Sequence, residues 1–157
     1  MKTSRYLWIF LPPLLAACGD AQKPHAFERN INAERRYDAA QLQRGAALYR
    51  QHCATCHGDQ GQGKILPWNV RQADGFYPPP PLDDSAHAWH HPTELLARVV
   101  RDGSPPGQGK MPAWKGQLSE AEIADVVVYV TSLWSDEKYQ LWFARIEMPA
   151  REQGEAR

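Results

Sequence analysis

The sequence predicts an all-α domain: three main helices and long loops around a bound group, with an extra helix at the C-terminal end. Three observations carry this. Three stretches repeat apolar residues at helical spacing, and neither strand alternation nor an internal repeat is visible. The segments between them are long and rich in Pro and Gly, including Pro78–Pro81 and "GSPPGQGKMPAW". The chain has 157 residues, which leaves room for one domain and little else. Three short helices are a thin core for the roughly 97 residues of 38–134, because loops this long are uncommon in a compact domain unless something fills its centre. A large apolar cofactor would fill it.

Each element follows from its residues. Lys2 and Arg5 flank an apolar run, "YLWIFLPPLLAA", whose core of about 12 residues suits an export signal and is too short to span a bilayer. Its end, Leu15-Ala16-Ala17-Cys18, resembles a bacterial lipobox, which implies cleavage before Cys18 and lipid on the Cys18 thiol. An ordinary signal peptide with a cysteine near its cut is the plainer alternative; small residues and thiol in the right order favour the lipoprotein. Residues 1–17 are therefore expected to be a signal peptide. Residues 18–37 form a polar tether, with an r.m.s. span on the order of 25 Å if flexible. The domain proper is expected over 38–134.

The first helix opens at Asp38, a plausible N-cap, and sets Leu42, Gly45, Ala46 and Tyr49 on one face. The second covers about Pro92 to Arg101, with Leu95, Leu96, Val99 and Val100 inside and Gly103 as its stop. The third begins with a capping box, Ser119 and Glu122, and carries a stripe of Ile123, Val126, Val127, Val130, Leu133 and Trp134. In the tail, 135–157, Ser135 or Asp136 starts a helix with Tyr139, Trp142, Phe143 and Ile146 on one face, expected to pack back on the domain, with a partner-binding surface as the alternative.

Charge excludes one class of partner. Lys+Arg and Asp+Glu balance at 18 each, so no basic field points to nucleic acid. Loss of Lys2 and Arg5 with the signal would leave the mature protein at about −2.

The chemistry sits in Cys53-Ala-Thr-Cys56-His57. With Cys18 lipidated, only this pair of cysteines remains, so a disulfide-built fold is not expected. A redox disulfide of this spacing belongs after a strand at a helix start, whereas here it follows an amphipathic helix and precedes a glycine-rich loop. A zinc site would need two more ligands, for which His87, His90 and His91 are the candidates. Covalent capture of haem accounts for every position. Two sulfurs two residues apart meet one porphyrin edge as thioethers, and the adjacent His57 turns under the ring to bind iron. Gly58 lets the chain pass close.

Iron has a sixth position. Met1 goes with the signal and Met148 lies in the tail, whereas Met111 sits in "GKMPAW" between the second and third helices. Pro112 biases Met111 towards extended backbone. A methionine in a Gly/Pro-rich loop has no helical face to belong to, and is expected as the distal ligand.

From Asp38 to Trp134 the residues resemble a small class I mono-haem cytochrome c, of a bacterial, lipoprotein-anchored kind. The likeness rests on Gly45 and Tyr49, "CATCHG", the proline–leucine pair Pro80–Leu82, "MPAW" and "VVVYVTSLW". It implies a cytochrome c fold in which the first and last helices cross, pairing Gly45 and Tyr49 with Tyr129 and Leu133. It also implies that the Pro80 carbonyl orients His57. One covalent haem c per chain, on Cys53, Cys56, His57 and Met111, is the implied cofactor.

With both axial positions filled, the expected activity is one-electron transfer between redox partner proteins of a respiratory chain, on the periplasmic side of a bacterial membrane, and no catalysis. A haem-based enzyme or gas sensor with a displaceable Met111 is the alternative, and a colourless thiol or copper chaperone a third. Lys64, Lys110 and Lys115 lie in segments that would border the exposed haem edge, where they either steer an acidic partner or, as is usual for loop lysines, are simply solvated. "HAWHH", 87–91, is expected to be structural, with Trp89 covering porphyrin and His90 or His91 on a propionate or at the helix start; a second metal on the three histidines and a plain surface loop are the alternatives.

Overall fold

In a computed structural model the described residues are Arg35 and 37–155, so the signal and Cys18 lie outside them. The elements are α1 (Ala39–His52), α2 (Ala54–His57), a 3₁₀ turn (Ala88–His90), α3 (Thr93–Asp102), α4 (Glu120–Ser132), α5 (Asp136–Trp142), a π turn (Phe143–Glu147) and α6 (Met148–Glu155). Among the described residues the only bridge of β type is the isolated pair Lys115 and Leu118. The fold is all-α, as the periodicity predicts.

Both long helices begin where their caps dictate. The Asp38 carboxylate accepts the Gln41 amide at 2.6 Å. At α4, Ser119 and Glu122 form the full capping box, satisfying two otherwise orphaned amides. These helices cross at Gly45, where an added Cβ would lie 2.1 Å from the Asp125 carbonyl oxygen and 3.0 Å from the Tyr129 Cβ. Only a glycine lets the backbones come this close. Tyr49, fully buried, lies with its ring centroid 5.0 Å from that of Tyr129. Arg44 adds a hydrogen-bonded ion pair of 2.7 Å to the buried Asp125, whose carboxyl it holds below the usual carboxylate range. Leu133 is half-buried and reaches Gly61.

Helix α3 runs one residue past its expected end and stops at Gly103, whose φ of +84° suits glycine. Leu95, Leu96, Val99 and Val100 are only half-buried. Helix α5 opens on Ser135, whose hydroxyl accepts the Lys138 amide at 3.3 Å. The tail packs back on the domain, as expected. Trp134 and Trp142 are each 2% exposed, and their rings meet edge to face at 5.1 Å. Tyr139, Phe143 and Ile146 pack on the same cluster.

Arg35 and Tyr37, at the end of the expected tether, lie on the domain too. The Arg35 guanidinium donates to the carbonyls of Trp134 and Ser135, pairs with Asp136 at 3.1 Å and stacks 4.7 Å from the Tyr139 ring centre.

Candidate haem site

Helix α1 delivers the first thiol. Cys53 is the residue after its last turn, and α2 is a single turn that carries Cys56 and His57. The His57 amide donates to the Cys53 carbonyl at 2.9 Å, and the turn is closed by Gly58, at φ +83°. That backbone conformation, rather than close passage alone, explains a glycine at 58. The turn is anchored from below by Tyr49, whose hydroxyl donates to the Gly58 carbonyl at 2.8 Å. Sequence reasoning placed Tyr49 in a helix crossing and missed this second task. Its signal was the hydroxyl, since a buried tyrosine must find a partner.

The thiols differ. Cys56 is exposed, whereas Cys53 is 8% exposed, and burial pushes its thiol up to about 11, with Cys56 adding to the shift. Both are free.

His57 is 8% exposed, with Nδ1 2.8 Å from the Pro80 carbonyl oxygen. A carbonyl only accepts, so the proton is on Nδ1 and the lone pair on Nε2, the arrangement a metal ligand needs. Burial also holds the ring below the usual imidazole range, only partly opposed by Pro80. A neutral, oriented imidazole results. Pro80 is itself held in place: the Leu82 amide donates to Gly61 at 2.6 Å, and a Cβ on Gly63 would press on the Pro81 ring at 3.0 Å.

Met111 is half-buried in the loop between α3 and α4. Ser104 brackets its backbone from both sides: the Met111 amide donates to Ser104 Oγ at 3.1 Å, and the Ser104 amide to the Met111 carbonyl at 3.0 Å. A Cβ at Gly103 would collide with that carbonyl at 2.7 Å, so Gly103 serves the Met111 loop as well as the helix end. Farther along, Trp114 donates its amide to Val100 at 3.2 Å and edges the His52 ring at 4.9 Å. The 104–111 loop is also tied to the segment before Pro80, through Tyr77 to Gln108 at 2.9 Å, Arg71 to Gly107 at 2.6 Å and Lys110 to Asp74 at 2.7 Å. One loop network thus links the His57 and Met111 segments.

Between His57 and Pro80 lie the exposed large apolar side chains Ile65, Leu66, Val70 and Tyr77, at 42, 75, 51 and 37%. A large apolar group bound beside these side chains would take them out of water. Two nitrogens in the 87–91 segment, His87 Nδ1 and Trp89 Nε1, are buried by protein and have no hydrogen-bond partner in it. The donor set fits haem. Trp89, expected over the porphyrin, has Lys138 Nζ 4.3 Å from its ring centre. His87 stacks on Trp68 at 4.8 Å and meets His91 edge-on at 5.5 Å, while His90 is exposed. Of the three lysines expected to steer a partner, Lys110 and Lys115 are paired, with Asp74 at 2.7 Å and Asp102 at 3.6 Å.

Residues 40–130 match the family described as cytochrome c oxidase, cbb3-type, subunit III. Among curated relatives, the CcoP subunit of a cbb3-type cytochrome c oxidase from Azospirillum sp. is 33% identical over 96 residues, 61% of this chain and 30% of that protein. Cytochrome c6 from Picosynechococcus sp. is 30% identical over 101 residues, 64% of this chain and 80% of that one. A thiosulfate dehydrogenase from Stutzerimonas stutzeri is 34% identical over 95 residues, 58% of this chain and 27% of the enzyme. The chain thus spans under a third of the CcoP relatives' length and most of cytochrome c6. No solved structure matches. A chain matched over residues 40–130, with a CxxCH turn and an oriented histidine, belongs to the cytochrome c family, in its cbb3-type subunit III group.

Proposed function

We propose that this chain is a one-electron carrier with a single haem c, attached through Cys53 and Cys56, with His57 and Met111 on iron, and held by lipid on Cys18 at the periplasmic face of a bacterial membrane. One observation carries the haem part: a buried His57, directly after the second cysteine, presents Nε2 because Nδ1 is committed to Pro80. When bound, haem supplies a reversible one-electron couple, and Met/His ligation favours a raised potential. The chain's own residues do the rest. Tyr49 and Gly58 fix the thiol turn, Pro80 fixes the imidazole, and Ser104 fixes the methionine loop. Were His57 and Met111 both to hold the iron, no position at the metal would be left for substrate. Redox proteins of a respiratory chain are the proposed partners, in keeping with relatives named as oxidase subunits.

A pyridine haemochrome spectrum of the exported protein tests attachment, with a colourless product overturning it. Met111→Ala is expected to abolish the weak near-infrared methionine-to-ferric-iron band and let carbon monoxide bind, whereas wild type resists it. An unchanged spectrum would move the distal ligand to His87, His90 or His91. Carbon monoxide binding to resting wild type would favour the enzyme or sensor reading.

Anchoring is tested separately. No helix among the described residues is long and apolar enough to cross a membrane. Cys18→Ala behind an efficient signal is expected to yield soluble periplasmic protein with its haem spectrum intact. Retention in washed membranes would assign the anchor elsewhere.

A further inference from the structure

Apart from its contacts with Arg35 and Tyr37, the C-terminal tail, with Trp134 just before it, meets the segment that joins Pro80 to α3. The indole of Trp134 donates to the Leu82 carbonyl at 2.9 Å, and the Ser135 amide to the Asp84 carboxylate at 3.0 Å. The indole of Trp142 donates to the His91 carbonyl at 2.8 Å. Glu147 accepts from the Thr93 amide at 2.9 Å and the Thr93 hydroxyl at 2.7 Å, with Arg151 paired to it at 2.8 Å. The four acceptor or donor sites, at 82, 84, 91 and 93, lie along the segment that joins Pro80 to α3.

Glu147 is 1% exposed, an unusual depth for a carboxylate, and each of these partners donates to its oxygens. Its position also needs the π turn. In an uninterrupted α-helix, five residues at about 100° each would set Glu147 roughly 140° away from Trp142. The wider turn over Phe143–Glu147 advances each residue less, bringing the carboxylate round to the buried face that holds Trp142. A helix that only covered apolar surface would have no use for this.

We propose that the tail is a clamp for the proximal side of the site, with Trp134, Trp142 and Glu147 acting as positioning residues for the His57–Pro80 hydrogen bond. The proposal rests on the reading of His57 as an iron ligand. Pro80 is two residues from Leu82, whose amide is held by Gly61 on the thiol-loop side and whose carbonyl is held by Trp134 on the tail side. The residue two past the carbonyl that orients His57 is thus held from two sides, one of them Trp134, which leads directly into the tail. Loosening that side weakens the hydrogen bond from Nδ1, which lowers the electron donation of the imidazole.

The test uses the full-length holoprotein with Trp142→Phe, which keeps a ring but deletes the indole donor, and Glu147→Gln. Ser119→Ala, which removes the N-cap of α4, is the control for simple loss of stability. Three quantities are read: reduction potential, exchange of the His57 Nδ1 proton in the reduced protein, and amide exchange over 84–91. Both tail variants are expected to raise the potential and speed Nδ1 exchange tenfold or more. Ser119→Ala should lower Tm and move neither. Tail variants that lose Tm with potential and Nδ1 exchange unchanged would overturn the clamp. A colourless wild type would end the haem reading instead. The clamp is then judged by amide exchange over 84–91, which Trp142→Phe accelerates if the tail holds that segment and leaves alone if it does not.

Discussion

Replacing both Cys53 and Cys56 with serine is expected to remove covalent haem entirely and to leave little folded protein. Serine is nearly isosteric but forms no thioether at a vinyl group, so any haem would be held by His57 and Met111 alone. The domain depends on that group more than its size suggests. Leu66 is 75% and Val70 51% exposed, and the loop that carries them lies between the two proposed ligand segments. Without a bound group, this loop and the 104–111 loop are held by a few hydrogen bonds, such as Tyr77 to Gln108, and by exposed pairs such as Lys110–Asp74, which are worth little. The single variants separate the two thiols. Cys53 sits in the wall of the site and Cys56 at its rim, so Cys53→Ser should lose more holoprotein than Cys56→Ser. Mass spectrometry of the denatured protein reads the outcome directly: wild type carries the haem mass, single variants a reduced fraction, the double variant none. Release of haem from denatured wild type into acidified organic solvent would refute covalent attachment.

Much of this was legible because it depends on local rules. Asp38, Ser119 and Gly103 each act within one turn of themselves, so the caps of α1 and α4 and the stop of α3 follow from short stretches. CxxCH is equally local. The residues that were not legible act over long separations. Glu147 and Thr93 are 54 apart, and only a departure from α-helical spacing brings the carboxylate inward. Its one sequence signal is an acid one residue past Ile146, at the edge of an otherwise apolar face. Ser104 is seven residues from Met111 in a loop without periodicity, so no pattern announces the bracket. The lysines are a further case: a loop lysine reads as solvated or as part of a steering field, and only the fold sets Asp74 and Asp102 beside Lys110 and Lys115.

Gly45→Val is expected to be the most damaging single change outside the CxxCH turn. A Cβ at 45 would lie 2.1 Å from the Asp125 carbonyl oxygen and 2.8 Å from its carbon, both backbone atoms of α4 that no rotamer can move. The helices must therefore part by more than an ångström. Separation pulls the Tyr49 ring from Tyr129 and stretches the 2.7 Å pair of Arg44 and Asp125, whose carboxylate is left buried without its partner. Helix propensity acts the other way, since any side chain gains up to about 1 kcal/mol over glycine within a helix. Overpacking costs about 1–3 kcal/mol, occasionally more, and here adds to the disturbed ion pair. The net loss should reach about 3 kcal/mol, which lowers Tm by about 10–20 °C in a domain of this size. The displacement should also reach the site, because α1 ends at Cys53 and Tyr49 holds Gly58. Thermal unfolding of the holoprotein and haem yield per chain are the measurements, with exposed Ala47→Gly on the same helix losing only about 1 kcal/mol and no haem. A Gly45→Val protein as stable as wild type would show that the two helices do not depend on this contact for their approach.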